Sequence, residues 1–198
     1  MLRKEFIEAS LKPARKISSV NGLFISMGGA DSGNITLKVI QAAQLVSSIK
    51  TVRVVIGAVN THEQELNEHI KNNKTNLSIT VYKNIDSKQM TSMFSECELA
   101  ICPASGTCME AAAVGIGMII GFTAENQLGI LKGLVEKQCA TSIGDFNKAS
   151  SESIAEAIRK YITDLETVNA QIANQKKLID GLSPQRINGI FNQLVHEN

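Results

Sequence analysis

The chain carries Leu23-Phe24-Ile25-Ser26-Met27-Gly28-Gly29-Ala30-Asp31-Ser32-Gly33, an apolar run that closes in a glycine-rich turn just before a helical pattern. A second segment, Leu99-Ala100-Ile101-Cys102-Pro103-Ala104-Ser105-Gly106-Thr107, has the same organisation. A strand that ends in such a turn brings backbone N–H groups to a helix N-terminus, where the helix dipole also favours an anion. The two segments therefore predict an α/β protein that binds a nucleotide or a phosphorylated sugar.

Composition excludes several other classes of protein. The 198 residues are 43% hydrophobic and carry a formal net charge of +1, without a basic run long enough for nucleic-acid binding. No apolar window reaches membrane-spanning length, so any membrane contact is expected to be peripheral. The four cysteines lack metal-site spacing and are expected to be reduced and mostly buried in the cytoplasm: Cys97, Cys102, Cys108 and Cys139. We expect neither a metal nor a cofactor.

Strand-like apolar runs alternate with helical patterns, which is typical of a parallel sheet covered on both faces. Strands are predicted at 22–27, 51–57, 77–82, 99–102, 117–122 and 139–143, and helices at 34–48, 61–73, 89–95, 107–114 and 124–137. Thr61 is predicted to cap the second helix. One long helix is predicted from Ser151 to about Ile179, and a final helix follows Pro184. These patterns predict a Rossmann-like three-layer α/β/α fold with a six-stranded parallel sheet.

The glycine-rich turn after the first strand has two interpretations. Gly28 and Gly29 permit a positive φ and a close backbone approach, while Asp31, Ser32 and Asn34 can cap the following helix. A tight structural turn and a phosphate site are equally consistent with this pattern. The segment contains neither G-x-G-x-x-G nor a Lys-Ser or Lys-Thr pair after the glycines. It therefore predicts neither a dinucleotide site nor an ATPase loop.

Two polar groups follow later strand ends. Glu110 would lie about one turn inside a helix almost without charge, where a carboxylate is costly unless it caps backbone N–H groups or binds a polar ligand. Ribose is one such ligand, because an acidic side chain beside a phosphate-binding turn commonly holds the sugar diol. Glu125-Asn126-Gln127 offers hydrogen-bonding groups for hydroxyl or acetamido substituents, although an ordinary polar helix start explains it equally well.

In their order along the chain, these segments resemble the second, nucleotide-binding half of the UDP-sugar hydrolases of pseudaminic acid biosynthesis. That family is similar to the N-acetylglucosaminyl transferases of peptidoglycan synthesis, which have two Rossmann-like domains in the GT-B arrangement. The likeness runs over nearly the whole chain, from Leu2-Arg3-Lys4-Glu5-Phe6 through Ile25-Ser26-Met27-Gly28-Gly29-Ala30-Asp31 to Ile179-Asp180-Gly181-Leu182-Ser183-Pro184-Gln185-Arg186-Ile187. The chain differs from the family pattern at Met109 and Gly117, where an aromatic residue and a proline are usual.

The resemblance implies a pocket for UDP or a UDP-sugar at the strand ends. The residues expected around the diphosphate are Gly28, Gly29, Ser105, Gly106 and Thr107. Backbone groups of Asn84 and Ile85 would meet the uracil, and Glu110 would hold the ribose. The residues expected to face the sugar are Glu125, Asn126 and Gln127.

The resemblance also implies that the first Rossmann-like domain, which supplies the catalytic histidine in the family, is missing. His62 and His69 are too far apart in sequence for an i, i+4 metal pair and are expected to be solvated, and His196 lies in the C-terminal tail. No catalytic residue is therefore assigned. Residues 1–21 are predicted to be a linker, 22–180 the UDP-sugar-binding domain, and 181–198 a helix that packs toward the missing domain.

The apolar residues of the first segment would then pack against the missing domain: Leu2, Phe6, Ile7 and Leu11. Exposed apolar surface on such a half also favours a homo-oligomer. Three functions are consistent with the sequence: the UDP-sugar-binding half of a hydrolase in pseudaminic acid or surface polysaccharide synthesis, the same half of a split glycosyltransferase, and a non-catalytic UDP-sugar-binding module. In the first two, another chain would supply the N-terminal half and the catalytic base.

Overall fold

The sheet has the strand order of a doubly wound Rossmann-like fold. The computed structural model describes residues 2–73 and 75–196, so residues 197 and 198 of the predicted C-terminal segment and the side chain of His196 lie outside the described part. Six parallel strands are hydrogen-bonded in the order β3-β2-β1-β4-β5-β6. They are β1 (Gly22–Ile25), β2 (Thr51–Ile56), β3 (Ser78–Lys83), β4 (Leu99–Pro103), β5 (Gly117–Phe122) and β6 (Thr141–Asp145). The predicted six-stranded α/β fold is confirmed.

Helices cover both faces of this sheet. They are α1 (Lys4–Ser10), α2 (Ile35–Gln44), α3 (Glu63–Asn72), α4 (Ser87–Glu96), α5 (Gly106–Val114), α6 (Leu128–Glu136), α7 (Ser151–Thr163), α8 (Leu165–Leu178) and α9 (Ser183–His196). Buried residues of α2, α3, α7 and α8 pack on one face, and those of α1, α4, α5 and α6 pack on the other. Within residues 2–73 and 75–196, none of these helices is long and apolar enough to cross a membrane.

Successive side chains of the central strand β1 enter different cores, because neighbouring residues of a strand point to opposite faces. Leu23 and Ile25 are fully buried in the core under α2, and Phe24 is fully buried in the core under α4. The Phe24 ring packs on Phe94 with centroids 4.4 Å apart. Burying one such side chain contributes about 1.5–3 kcal/mol, so the two-sided burial of β1 stabilises the centre of the sheet.

Two predicted helix starts differ from the structure. The long helix predicted over residues 151–179 is broken at Asp164, whose Oδ1 accepts the N–H of Thr167 at 3.0 Å and begins α8. Thr61 is not the cap of α3. The N-cap position belongs to His62, and its N–H donates to Asn60 Oδ1 at 2.8 Å. In both places a short carboxylate or amide side chain that reaches the backbone defines where the chain turns.

The region between β5 and β6 also differs from its predicted boundaries. Residues Glu125–Gln127 form a separate 3-10 turn before α6, and β6 begins two residues later than predicted. The cause of the later start is the end of α6, where the Cys139 N–H donates to the carbonyl oxygen of Leu134 at 2.8 Å. That bond closes the helix and keeps Cys139 out of the strand.

The first segment packs inside this chain rather than only against an absent domain, so that expectation is wrong for Phe6. Phe6 is fully buried in an edge contact with Phe94, at 6.4 Å between ring centroids. Leu2 and Ile7 are partly buried, and Leu11 is 66% exposed. The reason is that residues 4–10 form a helix that packs on α4 and α5.

Two cationic side chains bind backbone carbonyl groups near the C-terminal ends of α1 and α5. Arg15 Nε donates to the carbonyl oxygen of Gly115 at 2.8 Å, and Lys176 Nζ donates to the carbonyl oxygens of Ala9 and Ala113, both at 2.8 Å. Cations are favourable at helix C-termini, where unpaired carbonyl groups carry partial negative charge. Burial lowers the pKa of Lys176 to about 8, with nearby cations as a further cause. These bonds attach the N-terminal segment to α5 and α8.

Amide and phenol groups of the C-terminal helices bind the sheet directly. Tyr161 Oη donates to Gln171 Oε1 and accepts the N–H of Met118 at 2.9 Å. Gln175 Nε2 donates to the carbonyl oxygens of Ile116 at 2.9 Å and Cys139 at 2.7 Å. Burial raises the pKa of the Tyr161 phenol, so it is a neutral donor at physiological pH.

Replacing Tyr161 with phenylalanine tests this attachment. Tyr161→Phe leaves the Met118 N–H and Gln171 Oε1 buried without their shared partner, which costs about 1–3 kcal/mol. We expect urea unfolding to show a loss of that size. Tyr82→Phe is the matched control, because Tyr82 Oη accepts a bond from Arg53 at 3.2 Å in a partly buried position. Equal stability of the two variants would contradict the role given to Tyr161.

Candidate functional site

The candidate site lies where the sheet topology reverses, between β1 and β4. The two strands are paired up to Ile25 and Ile101, and a last bond joins the Ser26 N–H to the Ile101 carbonyl oxygen at 3.3 Å. Beyond it, β1 leads to α2 on one face and β4 leads to α5 on the other. Their turns therefore separate and leave a crevice at the carboxyl ends of the strands, the usual ligand position in open α/β sheets.

The N-terminus of α2 is already occupied by a carboxylate of the protein. Asp31 Oδ1 accepts the N–H of Ile35 at 2.8 Å, and Asp31 Oδ2 accepts the N–H of Thr36 at 2.9 Å. Asp31 is buried and has a φ of 46°, so the turn is shaped to deliver this side chain. The sequence interpretation of Asp31 as a cap is consistent with these bonds. A second anion at the same amides would meet the charge of Asp31, so this turn does not bring bare helix amides to the crevice.

The N-terminus of α5 is arranged differently. Its cap residue Ser105 makes no side-chain hydrogen bond to the first helical turn, and an added Cβ at Gly106 would have no atom within 4 Å. The thiol of Cys108 donates to the Ser105 carbonyl oxygen at 2.9 Å, and burial raises the pKa of that thiol to about 11. The start of α5 thus has no side-chain cap from Ser105 and has open space beside Gly106, at the positive end of a helix dipole, which suits an anion.

Cavities border the Gly28-Gly29 turn on two sides. Cavity A, of about 430 Å³, is lined by residues that include Gly28, Gly29, Ser105, Thr123, Gln127 and Asn147. Cavity B, of about 270 Å³, is lined by residues that include Arg3, Gly28, Gly29, Asn84, Ile85, Thr107 and Glu110. A third, cavity C, of about 340 Å³, shares Glu110 with cavity B and is lined by Leu2, Gly106, Met109, Glu110, Leu178, Ile179 and Ser183. The crevice therefore extends to both sides of the two turns.

The structure brings most of the predicted site residues to these cavities. Asn84 has a φ of 56°, which turns the chain after β3 so that it borders cavity B with Ile85. Gln127 borders cavity A, and its Oε1 accepts the N–H of Thr123 at 2.8 Å. Glu125 and Asn126 are exposed on the 3-10 turn and do not line cavities A, B or C.

Glu110 neither caps a helix nor stands unpaired. Its Oε1 accepts hydrogen bonds from Arg3 Nη2 at 2.8 Å and Arg3 Nε at 3.2 Å. The Glu110 side chain is 16% exposed, and that of Arg3 is 51% exposed. This pairing is a third way to place a carboxylate in an otherwise uncharged helix, besides the capping and ligand-binding alternatives.

Close contact between two glycines sets the floor of the crevice. A Cβ added at Gly57, just after β2, would lie 2.3 Å from the carbonyl oxygen of Gly29 and 2.4 Å from its Cα. No side chain fits at that distance from the backbone. The absence of a side chain at Gly57 therefore allows the Gly28-Gly29 turn to lie against the end of β2.

The titratable side chains that line cavities A and B are Arg3, Asp31 and Glu110, and each already has a partner in the protein. His62 and His69 are less solvated than predicted. His62 is partly buried beside Glu65, and His69 Nε2 is 3.0 Å from Gln44 Oε1. Among the described residues, no group of three or more His, Cys, Asp or Glu could hold a metal ion.

Sequence reasoning missed several residues of the crevice, among them Arg3, Gly57 and Asn147. Arg3 is separated from Glu110 by 107 positions, and no local pattern pairs them. Gly57 did carry a signal, because a glycine directly after a buried β-branched strand indicates close backbone approach. Asn147 Nδ2 donates to the Thr123 carbonyl oxygen at 3.1 Å, a contact that depends on the register of β5 and β6.

Comparisons with known proteins show the fold of this chain but do not assign the chain to a family. No model of a known protein family matches the chain. One curated relative, the uncharacterized protein MJ1062 of Methanocaldococcus jannaschii, is 26% identical over 179 residues, which cover 89% of this chain and 34% of the relative. The chain thus spans about a third of the length of that protein.

Solved structures share the fold at low sequence identity. A putative UDP-N-acetylglucosamine 2-epimerase from Listeria monocytogenes matches with a TM-score of 0.67 and 14% identity, over 98% of this chain and 52% of that one. MurG from Acinetobacter baumannii matches with a TM-score of 0.62 and 14% identity, over 87% of this chain and 48% of that one. Glycosyltransferase VinC in complex with dTDP matches with a TM-score of 0.66 and 14% identity, over 95% and 46%. This chain has the fold of about half of each protein.

Two glycine variants test the geometry of the crevice. Gly57→Ala forces a methyl group onto the backbone of Gly29, and we expect unfolding free energy to fall by about 1–3 kcal/mol. Gly106→Ala adds a methyl group in open space at a helix start, and we expect stability to be unchanged or higher by about 0.5–1 kcal/mol. Urea unfolding measures both. A Gly57→Ala variant as stable as the parent chain would contradict the close contact.

Proposed function

We propose that this chain is the UDP-sugar-binding half of a nucleotide-sugar enzyme. The observation that carries the proposal is the uncapped N-terminus of α5 at the β1/β4 crevice, with cavities on both sides. A diphosphate at Gly106 and Thr107 would accept backbone hydrogen bonds at the positive end of the helix dipole. The sugar nucleotide enzymes and the dTDP complex with the same fold support a nucleoside diphosphate as ligand.

The crevice provides a separate place for each part of a UDP-sugar. In cavity B, backbone groups of Asn84 and Ile85 would recognise the uracil, and Glu110 would accept bonds from the ribose hydroxyls. The diphosphate would cross the Gly28-Gly29 turn to the amides of α5. Cavity A would then hold the sugar beside Gln127. Glu125 and Asn126, exposed on the same 3-10 turn, would contact a part of the sugar that extends beyond the cavity. We propose this order because cavity B borders Thr107 at the start of α5, whereas cavity A borders its cap residue Ser105.

The reaction we propose is cleavage of the bond between the sugar and the diphosphate. Backbone N–H donors at α5 would stabilise negative charge as it develops on the leaving diphosphate, which requires no proton transfer by this chain. The acids of the crevice, Asp31 and Glu110, are engaged by helix amides and by Arg3. We therefore assign the catalytic base to an N-terminal half, supplied by another chain or by a longer form of this one.

Hydrolysis in pseudaminic acid or surface polysaccharide synthesis, in the cytoplasm, is our specific proposal, on the basis of the sequence resemblance. Glycosyl transfer by a split enzyme uses the same crevice with a carbohydrate acceptor in place of water. A non-catalytic UDP-sugar-binding module is the third candidate, and the commitment of Asp31 and Glu110 to partners within the chain favours it over catalysis by this chain alone. Added N-terminal half should produce UDP release only under the first two proposals.

Nucleotide binding can be measured directly on this chain. We expect calorimetry to detect weak UDP binding at about 1 mM nucleotide or below, with little release of UDP from UDP-sugars. Gly106→Ala should weaken UDP binding about tenfold or more, because the methyl group obstructs close approach to the amides of α5. Gly129→Ala is the matched control, since Gly129 also has no atom within 4 Å of an added Cβ but lies in α6. Absence of UDP binding in the parent chain would overturn the proposed function.

The surface of α9 is our candidate contact for the other half. Ile187, Ile190 and Phe191 are 38%, 57% and 62% exposed at helical spacing. Asp180 Oδ1 accepts a bond from Arg186 Nη1 at 2.9 Å and from the Leu182 N–H at 3.0 Å, which fixes the start of the helix. The apolar lining of cavity C lies beside this start, so the two would form one surface.

Sedimentation of the chain at increasing concentration tests this surface. Without its other half, we expect the chain to self-associate through α9, and Phe191→Ser to reduce that association without changing urea unfolding, because the side chain is exposed. Leu45→Ser is the control, since Leu45 is 50% exposed at the end of α2. A chain that stays monomeric at every concentration would contradict self-association through the surface of α9.

A further inference from the structure

Arg3 holds one oxygen of Glu110 and leaves the other available. Both Nη2 and Nε of Arg3 donate to Oε1 of Glu110, at 2.8 and 3.2 Å. In the described part of the chain, no protein donor reaches Oε2. A carboxylate oxygen accepts about two hydrogen bonds, so Oε1 is saturated by the guanidinium while Oε2 remains able to accept two more.

The position of Arg3 is itself fixed by α1. Its guanidinium lies over the Phe6 ring, 5.1 Å from the centroid, and Phe6 is fully buried against Phe94. The other end of α1 is held by Lys176, which donates to the Ala9 carbonyl oxygen at 2.8 Å. Arg3 is therefore a supported side chain, although it is half exposed. Its contact with Glu110 can fix the orientation of the carboxylate.

We propose that Arg3 is a positioning residue that turns Glu110 Oε2 toward a cis-diol and so makes the site selective for ribonucleotides over 2′-deoxyribonucleotides. This inference rests on the proposed function, in which Glu110 meets the ribose. Glu110 borders cavity B with Thr107 at the start of α5. An oxygen with two free acceptor directions matches the two adjacent hydroxyls of ribose, whereas a 2′-deoxyribose offers only one donor there. The missing hydroxyl leaves one direction of Oε2 without a partner on a side chain that is only 16% exposed.

A second role for Arg3 would give a different result. Arg3 also lines cavity B, and a guanidinium beside a diphosphate could attract it by charge alone. Such attraction is indifferent to the 2′-hydroxyl, so its loss would weaken UDP and 2′-deoxy-UDP equally. Positioning of Glu110 instead predicts a loss confined to the ligand that has both hydroxyls. The ratio of the two affinities therefore separates the roles.

The experiment compares UDP with 2′-deoxy-UDP by calorimetry on the full chain. We expect the parent chain to favour UDP about tenfold. Arg3→Gln should weaken UDP about tenfold but 2′-deoxy-UDP less than about threefold, so the preference is largely lost. Arg3→Lys should behave like Arg3→Gln, because an ammonium keeps the charge without the planar fork. Lys4→Gln is the matched control, since this substitution removes the same charge at the next position, where Lys4 pairs with Glu8 at 3.7 Å.

Variants of Glu110 and Arg3 test the positioning role separately from the proposed function. Glu110→Gln should lose the same preference, and adding Arg3→Gln to it should change little, because the two residues act as one unit. Urea unfolding checks that Arg3→Gln still folds. Equal weakening of both nucleotides in Arg3→Gln, or a parent chain without preference for UDP, would overturn the positioning role while the proposed function stands. A parent chain that binds neither nucleotide would overturn both.

Discussion

Pairing of β1 with β4 is the constraint on which the crevice depends. The two strands are neighbours in the sheet, yet they are separated in sequence by two complete strand-helix units. Because the helices that follow them pack on opposite faces, the chain must diverge after the bond between Ser26 and Ile101. Neither turn can cover the other, so backbone groups at this edge stay accessible. The position of the site is therefore a result of sheet order before any side chain is considered.

Electrostatics then distinguishes the two helix N-termini at this edge. Asp31 neutralises the start of α2 from within the protein, whereas Ser105 leaves the start of α5 without a side-chain cap. At the C-terminal end of α5, Arg15 and Lys176 bind the carbonyl groups of Gly115 and Ala113. Of the two N-termini that face the crevice, α5 is thus the one that can bind an anion without first displacing a carboxylate.

The fold could be predicted from sequence because its signals are local. Buried parallel strands such as β1 and β5 are continuous apolar runs, and the turns after β1 and β4 contain the small residues that a strand-to-helix turn needs. The break at Asp164 was missed because polar residues are also expected on the exposed face of an amphipathic helix. A single polar residue therefore does not mark the end of a helix in the sequence. The burial of Phe6 was missed for a different reason, since it depends on a contact with Phe94 far along the chain.

The same distinction between local and distant signals applies to the candidate site. Gly28, Gly29, Ser105 and Thr107 follow strand ends and could be placed at one edge of the sheet from the predicted order of elements. The pairing of Glu110 with Arg3 could not, because it requires α1 to pack on α5, and a helix of 7 residues has too weak a pattern to reveal that packing. The sequence offered helix capping or a polar ligand for this carboxylate, and the ion pair with Arg3 is neither of these. Because Arg3 engages only one of its oxygens, Glu110 retains a free acceptor at the crevice.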